Sequence, residues 1–303
     1  MSIIFIFVDG VGLGQNDENN PFATAATPFL SSLLQGRKMT LQAAGRDYAE
    51  ATLLALDAGL SMDGLPQSAT GQTALFTGIN AAQLLGYHLK GFPNKLLRHI
   101  LAEHGIFLQL RRSSLRGSFA NAYRPEFFAE LNKGLNGYYS CSTLITYYGG
   151  LTFRSLEDLG RGEAVYMDIT NAVLRRLGFN MPPITPQEAG RRLVKIAAQH
   201  DLTLFEHFIT DIAGHNQNRS FAAETVTTLD AFLGAAVRDL ENGDLLLMTS
   251  DHGNLEDLTT KDHTRNPVPA LIVGKERGRL VELLSKKDSI TAVTPALLEL
   301  LSY

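Results

Sequence analysis

The sequence predicts an α/β protein with a mostly parallel central sheet, helices on both faces of that sheet, and a small inserted cap. Continuous β-branched and aromatic runs, typical of strands covered on both faces, alternate with segments that begin in helix-capping residues. The 303 residues are 45% hydrophobic and 19% charged, which is enough apolar material for a sizeable core. The alternation loosens between residues 113 and 183, where Tyr, Gly, Asn and Ser are frequent. We therefore assign residues 1–112 and 184–303 to a catalytic core and residues 113–183 to the inserted cap.

In the first half of the chain, the apolar residues 3–8 predict a buried strand, and Gly10, Gly12 and Gly14 predict a loop after it. Thr27 followed by Pro28 is typical of a cap and a first helical turn, so we expect a helix that continues to about residue 34. The other elements predicted here are, in order, a strand over 51–56, helices over 70–85 and 94–104, and a short strand over 106–110.

In the second half, Thr185, Pro186 and Glu188 predict the start of a helix that continues to about residue 199. The elements predicted after it are a strand over 203–209, a long helix over 220–239, strands over 244–249 and 269–273, and a closing helix over 293–301. Strands that alternate with helices are typical of crossover connections, and this order favours a parallel sheet.

Charge, cysteine content and hydropathy exclude several classes of protein. Lys plus Arg is 27 and Asp plus Glu is 31, a formal net charge of −4, and no block of like charge predicts a nucleic-acid or anionic-membrane surface. Cys141 is the single cysteine, which excludes an intramolecular disulfide and a cysteine-rich metal site. No apolar run approaches the ~20 residues of a membrane span, and no basic region precedes the first apolar run. We therefore expect a cytoplasmic protein with no membrane or nucleic-acid partner.

Acidic residues and histidines follow the predicted strands at spacings typical of metal ligands. Carboxyl ends of parallel strands meet at one edge of a sheet, and imidazole and carboxylate are preferred ligands of Zn²⁺ and Mn²⁺. Any single Asp here is also explained as a turn residue, and any single loop His as solvated. Three histidines that each accompany an Asp at a strand end favour a metal site. The candidate ligands are Asp9, Asp211, His215, Asp251, His252 and His263.

A run of hydroxyl residues precedes an apolar helix and supplies candidate nucleophiles. Ser68, Thr70 and Thr73 lie in the segment Ser-Ala-Thr-Gly-Gln-Thr-Ala, after Gly64-Leu-Pro66. A hydroxyl at a helix N-terminus is commonly only an N-cap. It is alternatively a nucleophile held where helix amides favour an anion. Local sequence does not choose among the three hydroxyls.

Taken together, these motifs resemble the alkaline phosphatase superfamily, most closely the branch of cofactor-independent phosphoglycerate mutase and phosphopentomutase. The last three of the five segments that carry the resemblance match in order and spacing, and the resemblance does not extend over 113–183. The segments are Ile-Phe-Val-Asp9-Gly, Ala-Thr70-Gly-Gln, Thr-Asp211-Ile-Ala-Gly-His215, Thr-Ser-Asp251-His252-Gly-Asn and Asp-His263-Thr-Arg-Asn-Pro-Val-Pro. The resemblance implies an alkaline phosphatase-like core.

The resemblance also implies two divalent metal ions, Mn²⁺ or Zn²⁺, and a division of the ligands between them. Thr70 is preferred as the nucleophile because a hydroxyl-Gly step resembles phosphopentomutase, whereas the mutase carries Ser. Two ions ~3.5–4 Å apart can stabilise the attacking and leaving oxygens of a phosphoryl transfer. One ion would be held by Asp211, His215 and His263, and the other by Asp9, Thr70, Asp251 and His252.

The function expected from this resemblance is a two-metal phosphohydrolase that cleaves a small phosphate ester through a phosphothreonine. A phosphomutase and a phosphodiesterase are the alternatives. A non-catalytic metal-binding scaffold is disfavoured because a structural site needs no nucleophile. The short insertion argues against a full-length phosphoglycerate mutase. A sulfatase would need a formylglycine made from Cys or Ser, which Thr70 cannot provide, and Cys141 is in the wrong segment.

Overall fold

The computed structural model describes residues 1–302 and contains a seven-stranded sheet in the order β2-β3-β7-β6-β1-β5-β4. The interior strand β1 runs parallel to both β5 and β6, and β4 runs parallel to β5. Beyond β6, the strands β7, β3 and β2 pair antiparallel. The strands are β1 Ile3–Val8, β2 Arg46–Asp47, β3 Ala51–Leu56, β4 Gly117–Phe119, β5 Leu202–His207, β6 Leu245–Thr249 and β7 Val268–Gly274. The predicted α/β class with a parallel centre is confirmed, and the antiparallel side is a feature the sequence did not predict.

Helices surround this sheet, and short 3₁₀ turns cover Leu41–Ala43 and Ile290–Ala292. The helices are α1 Pro21–Thr24, α2 Pro28–Leu33, α3 Ser68–Thr77, α4 Ala81–Leu85, α5 Lys95–His104, α6 Ile106–Arg112, α7 Pro125–Leu131, α8 Cys141–Gly149, α9 Leu156–Gly160, α10 Ala172–Arg176, α11 Pro186–Ala197, α12 Ile209–Asn216, α13 Arg219–Arg238, α14 Arg277–Leu284 and α15 Val293–Leu301. Within residues 1–302, none of them is both long and apolar enough to cross a membrane.

The interior strand β1 shows why a continuous apolar run suits a strand that is covered on both faces. All six of its residues are buried, and successive side chains point to opposite faces of the sheet. Ile4, Ile6 and Val8 join the core that α11 and α13 cover, whereas Ile3, Phe5 and Phe7 join the core that α3, α8 and α15 cover. Phe7, for example, contacts Phe76 of α3 edge to face at 5.3 Å between ring centroids. Burial on both faces therefore holds β1 in place, and with it the start of the loop that follows the strand.

Three predicted elements differ from the structure. Residues 106–110 were expected to form a strand but lie in helix α6, because a run of five mostly apolar residues fits either element and the tertiary packing decides. The helix predicted over 70–85 is divided into α3 and α4 at Gly78, whose φ of 78° ends α3. Strand β5 ends at His207, so Asp211 lies in the first turn of α12 rather than directly at a strand end.

The segment 113–183 contributes to the core as well as lying beside it. Strand β4 forms one edge of the central sheet, and α8 buries Leu144 and Ile145 in the core cluster on that face. A separate small cluster contains Leu159, Tyr166 and Leu174. The division into a core and an inserted cap stays a prediction. The first part of the segment 113–183 includes elements that belong to the sheet and its packing.

Candidate metal centre

Three predicted ligands meet at the carboxyl end of β1 and β6. Asp9 follows β1 directly, and Asp251 and His252 follow β6. The Nε2 atom of His252 lies 3.3 Å from Oδ1 of Asp9 and 3.5 Å from Oδ2 of Asp251. These three side chains offer ligand atoms that all lie within 4.8 Å of one another. Because β1 and β6 are parallel neighbours, the fold itself brings these residues together, and we call them the inner group.

Three further ligands, the outer group, adjoin the inner group on helix α12 and on the loop before β7. Asp211 and His215 lie four residues apart on α12, so both project from one face of that helix, and His215 Nε2 lies 3.3 Å from Asp211 Oδ2. His263 Nε2 lies 3.8 Å from Asp211 Oδ1. The rings of His263 and His252 stack at 3.7 Å between centroids. His252 therefore lies between the two groups, and its ligand atom is also within 4.8 Å of those of Asp211 and His263.

The three histidines are oriented in the same way by backbone carbonyls. Nδ1 lies 2.6 Å from the carbonyl oxygen of Lys261 in His215 and 2.8 Å from that of Pro66 in His263. In His252 the corresponding contact is 3.4 Å, to Gly253. A carbonyl oxygen only accepts hydrogen bonds, so Nδ1 carries the hydrogen in each ring. In His215 and His263 this leaves Nε2 on the side of the carboxylates, where it is available to bind a metal ion.

The electrostatics of the inner group favour a bound cation. Burial together with the charge of Asp9 raises the pKa of Asp251 well above its usual value. Burial alone would lower the pKa of His252, but the carboxylates of Asp251, Asp9 and Asp211 raise it to about 10. Oδ1 of Asp9 and Oδ2 of Asp251 are buried and accept no hydrogen bond of good geometry. Crowded carboxylates with orphaned oxygens fit divalent cations, since these supply the charge and the coordination that the protein lacks.

Ser68 is the hydroxyl that reaches the inner group. It is the first residue of α3, and its Oγ lies 3.1 Å from Nε2 of His252. Ser68 is also half-buried and lines the cavity above the ligands, so an incoming substrate can reach its hydroxyl. Among the three hydroxyls that the sequence left open, Ser68 has the position of a nucleophile.

Thr70, which the resemblance favoured, lies elsewhere. Its hydroxyl donates to the carbonyl of Gln67 at 3.1 Å and accepts from the backbone N–H of Leu89 at 3.3 Å, and the residue is fully buried. Residues two apart on a helix do not share a face, so Thr70 points away from the ligands that Ser68 contacts. The hydroxyl of Thr73 likewise donates within the helix, to the carbonyl of Ala69.

The amides at the start of α3 are also occupied. The backbone N–H groups of Ala69 and Thr70 both point to the carbonyl of Leu89, at 3.1 and 3.4 Å. These two N–H groups therefore already have a partner, and they do not supply the anion site that helix amides were expected to form. Ser68 serves this site through its side chain.

Two glycines of the predicted motifs permit close approach of the elements that carry ligands. Gly10 has a φ of +68°, and a Cβ there would lie 2.5 Å from Oδ1 of Asp211. A Cβ on Gly71 would lie 2.7 Å from the backbone oxygen of Asp251. The Asp-Gly and Thr-Gly steps thus keep β1 close to α12 and α3 close to the loop after β6. Thr70 is the residue directly before Gly71 in the Thr-Gly step.

Glu256 is a buried residue that sequence reasoning missed. Its Oε2 accepts hydrogen bonds from the N–H groups of Gly12 and Asn254, both at 2.8 Å. Its Oε1 accepts from the hydroxyl of Thr264 and from Nδ2 of Asn266 at 3.0 Å. One carboxylate therefore joins the three loops that carry Asp9, Asp251 with His252, and His263. Its place four residues after His252 was the available signal, although an acidic residue there is equally consistent with a solvated loop.

The ligands open into a cavity of about 710 Å³. Its lining includes Ser68, Asp211, His215, His263 and the cationic side chain of Lys90. His215 is the most exposed ligand, with 45% of its side chain accessible. Of the seven residues predicted as ligands, the structure thus brings together Asp9, Asp211, His215, Asp251, His252 and His263, and it places Thr70 apart from them.

Comparison with known proteins identifies the family and the fold. A family model described as the Metalloenzyme superfamily matches residues 1–303. The 2,3-bisphosphoglycerate-independent phosphoglycerate mutase of Desulforudis audaxviator is 30% identical over 128 residues, which are 40% of this chain and 24% of the mutase. That of Thiobacillus denitrificans is 32% identical over 111 residues, which are 34% of this chain and 21% of the mutase. The matched part of this chain thus spans about a quarter or less of the curated relatives' length.

Solved structures share the fold at low sequence identity. The PH0037 protein of Pyrococcus horikoshii is 14% identical with a TM-score of 0.54, over 90% of this chain and 85% of that one. The phosphoglycerate mutase of Leishmania mexicana is 12% identical with a TM-score of 0.50, over 100% of this chain and 95% of that one. Together with the family model, these matches confirm the resemblance to the alkaline phosphatase superfamily and its phosphoglycerate mutase branch.

Proposed function

The chain belongs to the Metalloenzyme superfamily, and from this membership we propose that it is a two-metal phosphohydrolase that cleaves a small phosphate ester through a phosphoserine on Ser68. The observation that carries the proposal is the 3.1 Å contact between Oγ of Ser68 and Nε2 of His252, beside two clustered carboxylates. A structural metal site would need no exposed hydroxyl among its ligands. The phosphothreonine expected from the sequence is replaced in this proposal, because Thr70 is fully buried and its hydroxyl bonds to the backbone.

We propose that the inner group and Ser68 hold one divalent ion and that Asp211, His215 and His263 hold a second. The donor set of carboxylates and imidazoles suits Mn²⁺ or Zn²⁺. Two such ions, when bound, supply charge that neutralises the phosphoryl oxygens and lowers the pKa of a coordinated hydroxyl. The tautomers fixed by the carbonyls of Lys261 and Pro66 keep Nε2 of His215 and His263 available for this role.

The chain's own residues then perform the group transfer. Oγ of Ser68 forms a bond to phosphorus as the bond from phosphorus to the ester oxygen breaks, and the hydroxyl proton passes to solvent. The departing alcohol takes up a proton. Water then attacks the phosphoserine, which regenerates Ser68 and releases inorganic phosphate. Lys90 lies at the mouth of the cavity, where its charge attracts the dianionic ester.

A phosphomutase is the second candidate, because the curated relatives that match part of this chain are named phosphoglycerate mutases. In that case the phosphoryl group on Ser68 would return to another hydroxyl of the same substrate molecule instead of passing to water. A substrate with isotopically labelled phosphate distinguishes the two reactions. A hydrolase releases labelled inorganic phosphate, whereas a mutase moves the label between positions of one molecule.

The proposal is tested with Ser68→Ala and the matched variant Thr70→Val in protein loaded with Mn²⁺ or Zn²⁺. We expect Ser68→Ala to lose about 10³-fold or more in phosphate release, since the nucleophile is removed. Thr70→Val should retain most of the activity and lose stability, because it leaves the N–H of Leu89 without its acceptor. Rapid acid quenching of the wild-type protein should trap phosphate on Ser68 itself, and fragmentation of the labelled peptide distinguishes Ser68 from Thr70.

The opposite result is equally clear. A loss of activity in Thr70→Val alone, with phosphate trapped on Thr70 of the wild-type protein, would restore the phosphothreonine mechanism. The absence of turnover on phosphate monoesters and diesters under every metal, with unchanged metal binding in Ser68→Ala, would leave a non-catalytic metal protein.

A further inference from the structure

A second cavity opens beside the metal cavity and shares part of its rim. It measures about 450 Å³, and Phe92 and Tyr138 line both cavities. Six of the other fifteen lining residues are aromatic. These ring residues are Phe119, Tyr123, Phe127, Tyr139, Tyr166 and Phe208. A group bonded to a phosphoryl moiety at Ser68 would leave the metal cavity past Phe92 and Tyr138 and enter this aromatic cavity.

The two rim residues are both exposed. Phe92 is 50% exposed and Tyr138 is 84% exposed, although both are large and apolar. Their ring centroids lie 5.5 Å apart, with the planes inclined at 45°. Adjacent exposed aromatic rings at the mouth of a cavity typically mark a binding site, because their apolar faces gain stability only when a ligand covers them.

The wall of the aromatic cavity is held in place by its own packing. Tyr123 stacks on Phe127 at 3.9 Å between centroids and contacts Phe119 at 6.1 Å. The hydroxyl of Tyr123 bonds to that of Thr143 at 2.8 Å, and the hydroxyl of Tyr139 donates to the carbonyl of Gly134. Since these two hydroxyls already have partners, Tyr123 and Tyr139 offer a ligand mainly their ring surfaces.

Seven lining residues are polar, and these are Asn121, Arg124, Glu126, Glu130, Ser140, Thr143 and Glu206. Glu206 is 7% exposed, lines the cavity, and accepts a hydrogen bond of 2.6 Å from Ser142. A carboxyl group has further lone pairs, so it can also bond one polar edge of a ligand. Arg124 is the cationic residue of the lining.

We propose that the aromatic cavity binds the alcohol portion of the ester and that this alcohol carries a planar aromatic or heteroaromatic ring. Phe92 and Tyr138 would cover the ring, and Glu206 would hydrogen-bond its polar edge. This substrate class rests on the proposed phosphohydrolase function. A small polyol such as glycerol would leave the ring surfaces uncovered, so we expect the cavity to favour a ring-bearing alcohol over it.

The proposal is tested with two esters, adenosine 5′-monophosphate and glycerol phosphate, on the metal-loaded full chain. We expect wild-type kcat/KM to be at least tenfold higher for the adenosine ester. Phe92→Ala and Tyr138→Ala should each lower kcat/KM for this ester at least fivefold more than for glycerol phosphate, given the contribution of a base stacked on an aromatic ring. Tyr147→Ala is the matched control, since Tyr147 is 45% exposed on α8 and lies outside both cavities.

A binding measurement separates this proposal from the proposed function. Adenosine, which carries no phosphate, should bind the chelated protein in saturation-transfer NMR, and both rim variants should weaken its signal whereas Tyr147→Ala should not. Inactivity toward both esters together with this binding pattern would refute the hydrolase and retain the aromatic cavity as a ring-binding site. Equal kcat/KM for the two esters, or equal losses in the rim and control variants, would overturn the proposed substrate class.

Discussion

The two cavities that meet at Phe92 and Tyr138 are built in opposite ways. The metal cavity takes its ligands from the ends of β1 and β6 and from α12, and its charged residues lie close together in short sequence motifs. The aromatic cavity takes its lining from residue 92, residues 119–143 and residues 166–208, mainly outside the long helices. The difference teaches that short motifs at the sheet and at α12 position the candidate ligands, whereas residues from distant parts of the chain assemble the aromatic cavity.

The largest effect on this contrast is expected from Asp251→Asn. Removing this proposed anionic ligand of the inner group should weaken Mn²⁺ or Zn²⁺ binding more than about 100-fold. That loss exceeds the one expected when a residue that only hydrogen-bonds to a metal ligand is replaced. The same change should stabilise the metal-free protein, because Asp251 is fully buried and crowded by Asp9, which raises its pKa. Isothermal calorimetry and thermal unfolding of the chelated protein measure the two effects.

The matched control is Asp262→Asn, an exposed acidic residue that lines the same cavity outside both ligand groups. It should change both quantities far less. A lower thermal midpoint for metal-free Asp251→Asn would show that this carboxylate supports the fold and is not held there at a cost.

The same contrast explains which residues the sequence could predict. Asp251 and His252 are adjacent, and Asp211 and His215 share a helix face, so their proximity follows from local geometry. Ser68 and Thr70 are two residues apart, and only the start of α3 at Ser68 determines which hydroxyl faces His252. That start is set by tertiary contacts such as those from Leu89 to the first amides.

The aromatic cavity lay beyond sequence reasoning for a similar reason. Tyr123 and Phe127 stack because helix α7 begins at Pro125 and turns Phe127 back onto Tyr123, but the motif has no periodicity that predicts a cavity. Phe92 and Tyr138 are 46 residues apart in the sequence and meet only in the folded chain. Long-range packing of this kind leaves no local pattern.

A smaller loss of metal affinity is expected from Glu256→Gln, because Glu256 joins the loops that carry the candidate metal ligands. The carboxylate accepts four hydrogen bonds, and a side-chain amide would place its NH₂ against donors such as the N–H of Gly12 or the hydroxyl of Thr264. We expect metal affinity to fall about 10- to 100-fold, as for other partners of ligating loops. Calorimetry of Glu256→Gln beside the exposed control Glu241→Gln measures this effect. Equal affinities in the two variants would show that the loops hold their positions without Glu256.

The smallest effect is expected from Glu206→Gln, on the side of the aromatic cavity. Burial, with a contribution from the charge of Asp9, raises the pKa of Glu206 to about 7. An acid whose folded pKa lies above its unfolded value favours the folded state at low pH, and this contribution is lost as the pH rises from about 4.5 to 7. The chelated wild-type protein should therefore lose roughly 2 kcal/mol more unfolding free energy between pH 5 and pH 8 than Glu206→Gln does, since Gln does not titrate. Urea unfolding at the two pH values measures the difference. Parallel pH profiles would show that Glu206 is not strained by its burial, and the aromatic cavity would then be electrostatically independent of the metal centre.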